Sequence, residues 1–197
     1  FPSDYRTTQA EVAAACPTCH LPVFVDEYNG AILGPYSAYI QSYPDVPLVA
    51  AAVARGLELN VSQFSFFDLQ ATTGLSPFGL LGDGGQPRPT FELYSYLFRN
   101  LSMATIDNTT ILGGPSYDVA VVGSNATSTS LLVSNVNTVD GLRLALNGSG
   151  FPVSGPAIAW AWDPSEPAPV VSTYVAGSMP TTWVIPPEGV LLVDVPV

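Results

Sequence analysis

Residues 21–30 read LPVFVDEYNG, and the expected architecture of the chain rests on this stretch. Its opening apolar run predicts a short strand buried on both faces, as in a parallel sheet. Three polar groups follow, namely Asp26, Glu27 and Asn29. Because barrel enzymes hold their reactive groups at the carboxyl ends of parallel strands, Glu27 is the candidate catalytic residue.

Helices are predicted on both sides of this strand. Residues 3–16 have a helical pattern, with Thr8 and Glu11 at the spacing of a capping box and Pro17 as the stop. A second helix is expected to begin at Asp45, whose side chain can cap it. Pro47 would lie in its first turn and Gly56 near its end. Its expected apolar face comprises Leu48, Val49, Ala52, Val53 and Leu57.

A second strand and a third helix complete the first half of the chain. The strand is predicted over residues 59–69, LNVSQFSFFDL, and a glycine-rich loop, GLLGDGGQPRP, follows it. The helix is predicted over residues 90–101. This alternation of helices and strands is typical of βα units. The expected apolar face of the third helix comprises Phe91, Tyr94, Phe98 and Leu101.

The pattern changes after about residue 103. Short strand-like runs are punctuated by turn signals such as Asp140-Gly141 and Asn147-Gly148. Their spacing predicts an antiparallel β-sandwich. The strand-like runs are YDVAVVGS, TSLLVSN, LRLALNG, AIAWAWD, VVSTYVA and VLLVDVPV. Trp160 and Trp162 are two residues apart and so share one face of a strand, where we expect them to pack in the core.

Composition limits the classes of partner. The 197 residues are 47% hydrophobic and 11% charged, and the net charge is −11. All five basic residues are arginines, which leaves too few for a basic patch, so no nucleic-acid partner is expected. The sequence contains no apolar run long enough to predict a membrane span.

Five Asn-X-Ser/Thr sequons predict an exported glycoprotein, located outside the cell or at its surface and carrying N-linked glycans. If the protein is exported, a signal peptide once preceded Phe1. The predicted glycosylation sites are Asn60, Asn100, Asn108, Asn125 and Asn147.

The motif CPTCH, residues 16–20, has several interpretations. Cys-X-X-Cys-His is the attachment motif of c-type haem, which would make His20 an axial ligand. A zinc site would need a fourth ligand, and a redox pair would need the thioredoxin fold around it. A local disulfide between Cys16 and Cys19 in an oxidising compartment is the favoured interpretation. No metal and no cofactor are predicted, and His20 is expected to be structural.

Two stretches together resemble clan A glycoside hydrolases, nearest to the family 39 type. PVFVDEYN, residues 22–29, is similar to that family's seventh barrel strand with its nucleophile. QFSFFDLQ with FGLLGDGGQPRPTFELYSYLF, within residues 63–98, is similar to the eighth strand, its loop with an Arg-Pro pair, and the closing helix. The resemblance implies the last two βα units of a (β/α)8 barrel over residues 1–102, followed by a β-sandwich over residues 103–197.

The resemblance also implies a retaining glycosidase with Glu27 as the nucleophile. The acid/base of that family lies in an Asn-Glu pair on strand four, which this chain lacks, so an N-terminal segment or separate chain would complete the barrel. Tyr28, Asn29, Phe67 and Asp68 are the expected contacts to an oligo- or polysaccharide. The family usually has a tryptophan on its eighth strand, where this chain has Phe66 and Phe67, so the sugar, the linkage, and exo or endo action stay open.

One alternative from a different class remains. The chain could belong to a non-catalytic carbohydrate-binding or cell-surface structural protein on the same scaffold, because a fold does not fix a function. An Asn-Glu pair at the end of an upstream fourth strand would favour the enzyme, and its absence would favour the binding protein.

Overall fold

The computed structural model describes residues 2–19, 21–22, 24–28, 45–61, 63–66, 69, 79–100, 105–110, 119–146, 151–166 and 168–196. These residues form three helices and ten strands, in an order that agrees with βα units followed by an antiparallel β region. In chain order they are α1 (Pro2–Ala15), β1 (Phe24–Tyr28), α2 (Asp45–Glu58), β2 (Gln63–Phe66), α3 (Pro89–Asn100), β3 (Thr105–Thr110), β4 (Val119–Ser124), β5 (Ser128–Ser134), β6 (Leu142–Ala145), β7 (Ala157–Trp162), β8 (Val170–Tyr174), β9 (Thr182–Ile185) and β10 (Val190–Pro196).

Helix α1 confirms the predicted first helix but not its predicted start signal. The helix begins at Pro2, a residue whose fixed φ suits the first helical position. Thr8 and Glu11 therefore lie inside the helix, and the capping-box prediction was wrong. The helix ends at Ala15, as expected from Pro17.

Strands β1 and β2 form the expected parallel pair. The predicted second strand began too early, because residues 59–61 close helix α2 instead. Asn60 has a φ of 53°, and the N–H of Val61 donates to the carbonyl of Gly56 at 2.9 Å. The N–H of Asn60 donates to the carbonyl of Leu57 at 3.0 Å. These bonds make a Schellman motif with Asn60 in the left-handed position.

Helices α2 and α3 are amphipathic, but their buried faces are rotated from the predicted ones. Leu93 and Leu97 of α3 are buried, although neither belonged to the predicted stripe, whereas Phe91 is only half-buried. The side chain of Phe98 and all of Leu101 lie outside the described residues. The buried apolar residues of α2 are Val46, Pro47, Val49, Ala50 and Ala54.

The described residues of the second half form two packed antiparallel sheets, referred to below as the sandwich. Its larger sheet has the strand order β3-β4-β5-β10-β7-β8, and β6 pairs with β9 in a smaller sheet. All six strand-like runs of the sequence contain strands. Strands β3 and β9 were missed, because each is too polar or too short to be recognised without its partner strand.

The large sheet has an apolar core on each face. On one face, Val121, Leu132, Leu192 and Trp160 lie side by side across four strands and pack under α2 and α3. The other face packs against β6 and β9. Trp160 and Trp162 both lie in the first core, which confirms the predicted role. The predicted boundary between residues 102 and 103 falls outside the described residues.

Helix α1 is fixed at one end of α2. The Tyr5 hydroxyl donates to the carbonyl of Asn60 at 3.4 Å, and Arg6 lies 3.7 Å from the carboxylate of Glu58. Strand β1 is less covered than predicted, since Phe24 is 54% exposed. The prediction of a strand buried on both faces was therefore wrong for this residue, because β2 is the one strand that pairs with β1 among the described residues.

Candidate functional site

The carboxyl end of β1 has an irregular register with β2. Phe24 pairs with Gln63 and Val25 with Phe64, but the next pair is Tyr28 with Phe66. Two residues of β1, Asp26 and Glu27, therefore lie opposite the single residue Ser65. This arrangement is a β-bulge, a feature that is uncommon between parallel strands and over-represented next to active sites.

The bulge coincides with the residue that the sequence singled out. A bulge changes the direction in which the strand presents its following residues, so natural proteins use it to aim a side chain. Here it involves Asp26 and Glu27 at the carboxyl end of a parallel pair, the edge at which α/β folds bind ligands. The backbone of Tyr28 lies beside Phe66 in the same register. The other expected substrate contacts, Asn29, Phe67 and Asp68, lie outside the described residues.

A small hairpin follows β2 on the way to α3. The N–H of Leu81 donates to the carbonyl of Leu69 at 2.9 Å, and Leu81 also bridges to Pro87. At the tip, Gly85 has a φ of 76°, a conformation that favours glycine. A Cβ on Gly82 would lie 2.1 Å from the side-chain nitrogen of Gln86, so Gly82 leaves the space that this amide fills. The glycine-rich loop is thus an ordered structure beside the carboxyl end of β2.

Arg88 closes the base of this hairpin. Its Nη1 donates to the carbonyl of Gly79 at 2.7 Å, and its backbone N–H donates to the carbonyl of Leu80 at 3.1 Å. Pro89 then starts α3. In this chain the Arg-Pro pair therefore joins the loop to the helix by defined hydrogen bonds.

Asp45 is a buried carboxylate that sequence reasoning misassigned. Its side chain does not cap α2; instead Oδ2 accepts a hydrogen bond at 3.2 Å from the hydroxyl of Thr90, the second residue of α3. Its Oδ1 is buried without a hydrogen-bond partner. Burial raises the pKa of this carboxyl to about 7, although the Thr90 bond and the charge of Arg88 act in the opposite direction. The two partners are 45 residues apart, so no local sequence signal could have revealed the contact.

Cys16 and Cys19 form a disulfide, with their sulfurs 1.99 Å apart. The favoured interpretation of CPTCH is confirmed, and the haem interpretation is wrong because the disulfide uses both thiols that a c-type haem needs. His20 lies outside the described residues. Among the residues that the structure describes, no three His, Cys, Asp or Glu side chains are grouped so as to hold a metal ion.

The sequons have different environments. Asn60 is exposed beyond the end of α2. Asn125 lies in the turn between β4 and β5, where its Oδ1 accepts hydrogen bonds from the Thr127 hydroxyl at 2.9 Å and the Thr127 N–H at 2.7 Å. Asn100 and Asn108 are described in their backbone alone, and Asn147 lies outside the described residues. Glycosylation of these sites stays a prediction.

The tryptophans of the sandwich, all of which the structure describes, do not form a flat exposed row. Trp160 and Trp162 are buried beneath α3, where Tyr96 contacts both rings with centroid distances of 5.9 and 5.6 Å. Trp183 meets Tyr174 edge-on, at an interplanar angle of 89°. This geometry fits packing rather than a platform for a sugar ring.

The fold is similar to that of solved glycoside hydrolases. A glucosidase from Croceicoccus marinus has a TM-score of 0.60 and 16% identity, and the match covers 100% of this chain and 51% of that one. A family 51 arabinofuranosidase from Xanthomonas axonopodis pv. citri has a TM-score of 0.64 and 13% identity, covering 98% and 45%. A family 30 xylanase from Clostridium acetobutylicum has a TM-score of 0.62 and 9% identity, covering 89% and 43%.

All three are glycoside hydrolases. The chain spans about half or less of their length, so it shares its fold with a part of each of them. No protein-family profile and no curated protein sequence matches the chain. The broader resemblance to glycoside hydrolases is therefore supported by the fold, and the narrower one to family 39 stays a prediction. Of the helices that the structure describes, none has the length and apolar character that crossing a membrane would require.

Proposed function

We propose that this chain is the C-terminal part of an exported retaining glycoside hydrolase, and that Glu27 is its nucleophile. The chain would supply the last two βα units of a (β/α)8 barrel and the β-sandwich that follows them. The single observation that carries the proposal is the bulge at Asp26 and Glu27, at the carboxyl end of a parallel strand pair. The likeness of the whole chain to parts of glycoside hydrolases supports it.

The proposed reaction has two steps. In the first, the carboxylate of Glu27 attacks the anomeric carbon, the bond from that carbon to the leaving oxygen breaks, and a second carboxylic acid protonates that oxygen. In the second step, the second carboxyl group, now ionised, takes a proton from water. The water oxygen attacks the anomeric carbon, and the glycosyl bond to Glu27 breaks. The configuration at the anomeric carbon is retained because it is inverted twice.

The second carboxylate would come from the segment that completes the barrel. A barrel has eight strands and about 250 residues, whereas the described residues contain one parallel pair. Phe24 is largely exposed, and Tyr5 is the one buried residue among the described side chains of α1. These surfaces fit a chain whose remaining βα units lie against them. In a retaining enzyme the two carboxyl groups would be about 5–5.5 Å apart.

The other site residues have supporting roles in this proposal. Tyr28 and Asn29 flank the nucleophile and would orient it, and Phe67 and Asp68 would contact the sugar from the end of the second strand. The substrate would be an O-glycoside of an oligo- or polysaccharide. The disulfide between Cys16 and Cys19 is compatible with export, because disulfides persist in oxidising compartments.

The test is to replace Glu27 in the protein assembled with its barrel-completing segment. We expect Glu27→Gln to reduce hydrolysis of an activated aryl glycoside roughly 10⁴-fold or more, because an amide cannot form the glycosyl-enzyme. The matched control is Asp26→Asn, which removes the neighbouring carboxylate of the same bulge and is expected to retain most of the activity.

Trapping of the intermediate identifies the nucleophile directly. A 2-deoxy-2-fluoro aryl glycoside should leave its sugar on the peptide that contains residues 24–28, and mass spectrometry should place it on Glu27. Activity that survives Glu27→Gln unchanged, or a label on another residue, would overturn the assignment. A protein that binds polysaccharide but hydrolyses no glycoside, with no Asn-Glu pair on its fourth strand, would favour the non-catalytic alternative.

A further inference from the structure

The apolar rows of the large sheet continue as far as β8 and end there at exposed valines. On the helix-covered face, the row of Leu132, Leu192 and Trp160 ends at Val171, which is 51% exposed. On the opposite face, Ala161 pairs with Val170, which is 56% exposed. Among the described residues, no strand pairs with the outer side of β8, so both apolar rows end at valines that are about half exposed. A further strand beside β8 would extend both rows.

The two edges of this sheet differ in their protection. At the edge strand β3, the register with β4 shifts between Ile106 and Asn108, which leaves the acidic Asp107 in a bulge. Bulges and charges are the devices by which natural edge strands avoid pairing with other chains. Strand β8 has a regular register with β7, and its residues Val170 to Tyr174 include no charge. Pro169 limits pairing just before the strand but leaves the strand itself open.

The distribution of charge favours a second copy of the same chain as the occupant. The net charge of the chain is −11, so two copies repel each other over most of their surfaces. Residues 167–187, which contain β8 and β9, have no Asp, Glu, Lys, Arg or His. This segment is a place at which two acidic molecules can approach without bringing like charges into contact.

We propose that β8 is a homodimer interface, in which β8 of one copy pairs with β8 of a second copy in the antiparallel direction. A two-fold axis near Ser172 would place Val171 opposite Thr173 of the second copy and Val170 opposite its Tyr174. In each pair both residues lie on the same face of the sheet, so the row that ends at Val170 continues at the ring of Tyr174, and the row that ends at Val171 continues at the methyl-bearing Thr173. The proposal is independent of any glycosidase activity.

The direction of pairing follows from the turn before β8. Asp163 and Glu166 lie in the turn between β7 and β8, near the Val170 end of the strand. Parallel pairing would bring these acidic turns of the two copies together. Antiparallel pairing places each turn beside the uncharged residues that follow Tyr174 of the other copy, and a two-fold axis allows this contact to close as a dimer.

The first experiment measures molar mass against protein concentration by sedimentation equilibrium, using the native protein with any chain that copurifies. Because the strand is short, we expect a weak dimer, with a dissociation constant on the order of 10 μM. Val171→Lys should raise that constant at least tenfold. The matched control is Val184→Lys on β9, where the valine is 68% exposed and belongs to the smaller sheet, and it should leave the dimer intact.

The second experiment tests the register. Ser172→Cys should form a dimer linked by a disulfide on mild oxidation, because the two copies of residue 172 meet at the axis, whereas Ser178→Cys, beyond the end of β8, should not. The proposal is wrong if the wild-type protein stays monomeric to 100 μM, or if Val171→Lys and Val184→Lys weaken association equally. It is also wrong if Val171→Lys instead releases a different chain from the protein.

Discussion

The βα units and the β-sandwich differ in how completely each covers its own apolar surface. In the sandwich, the central strands of the large sheet are buried on both faces, on one side under α2 and α3 and on the other under β6 and β9. In the βα units, Phe24 is 54% exposed and α1 is mostly exposed. The comparison shows that the antiparallel part buries two apolar cores within this chain, whereas the parallel part leaves more of its described surface exposed.

The reason lies in how the two kinds of sheet are connected. Antiparallel strands are joined by short turns, so a chain of modest length can build a whole sheet. The turn from Asn125 to Ser128, between β4 and β5, is an example. Parallel strands need a longer crossover connection, and among the described residues β1 and β2 have no strand partner but each other. We expect mutations in the two regions to have unequal effects.

The largest predicted effect on stability is at Asp45, the first residue of α2. Its pKa is raised from 3.8 to about 7 in the folded state, so the folded protein binds a proton between these values that the unfolded chain does not. The free energy of unfolding should therefore fall as pH rises from 4 to 7, by about 4 kcal/mol from this group. Asp45→Asn should remove this slope and stabilise the protein at pH 8, as measured by urea denaturation across pH.

Asp163→Asn is the control for that experiment. The side-chain and backbone hydrogen bonds from Ser165 lower the pKa of the exposed Asp163 carboxyl, so its contribution to stability has the opposite sign. If Asp45→Asn has the same pH profile as the wild type, the raised pKa of Asp45 is wrong.

Core truncations should separate the two regions. Leu192 is fully buried at the centre of the large sheet, and Leu192→Ala should lower the free energy of unfolding by about 3 kcal/mol. Phe24→Ala should cost only about 1 kcal/mol in this chain alone, because about half of the side chain is already exposed. In the assembled protein, Phe24→Ala should become costly. An equal loss in both settings would show that Phe24 has no further partner.

Asn135 should be the most sensitive polar residue of the sandwich. Its fully buried Nδ2 donates to the carbonyls of Asp140, Ile185 and Pro186, at 3.0, 3.3 and 2.8 Å. Asn135→Ala leaves these groups without their donor and should cost about 2 kcal/mol in chemical denaturation. The control is Asn137→Ala, which removes the solvent-exposed hydrogen bonds from the N–H groups of Val139 and Asp140 to the Asn137 side chain. It should cost less than half as much.

The smallest predicted effect concerns Asn60, which is both a helix terminus and a sequon. Asn60→Ala removes the short polar side chain that lets asparagine adopt a φ of 53° and should cost about 1 kcal/mol, while Asn60→Gly should be nearly neutral. Ser62→Ala removes the sequon but keeps the helix terminus. Thermal denaturation of glycan-free protein should therefore distinguish Asn60→Ala from Ser62→Ala, and equal effects would contradict the conformational explanation.

Periodic patterns in the sequence predicted most of the helices and strands. Contacts between residues distant in sequence determined their boundaries, caps and pairing. The alternation in residues 157–163 correctly predicted a strand with Trp160 and Trp162 on one buried face. The predicted start of the second strand at residue 59 was wrong. Leu59 and Val61 alternate as in a strand, but they flank Asn60, which terminates α2. The cap predicted at Asp45 was wrong because Thr90 of another helix takes its carboxylate. Strand β9 was missed because pairing with β6 defines it.

For the candidate site, the sequence by itself determined that an acidic pair follows an apolar strand and that a second strand and a glycine-rich loop come later. These are properties of neighbouring residues, so local patterns contain them. Only the tertiary structure showed that β1 and β2 pair in parallel with a bulge at Asp26 and Glu27, and that the valines of β8 end two apolar rows. Register and exposure depend on which distant residues come together, and hydrophobic periodicity specifies faces rather than partners.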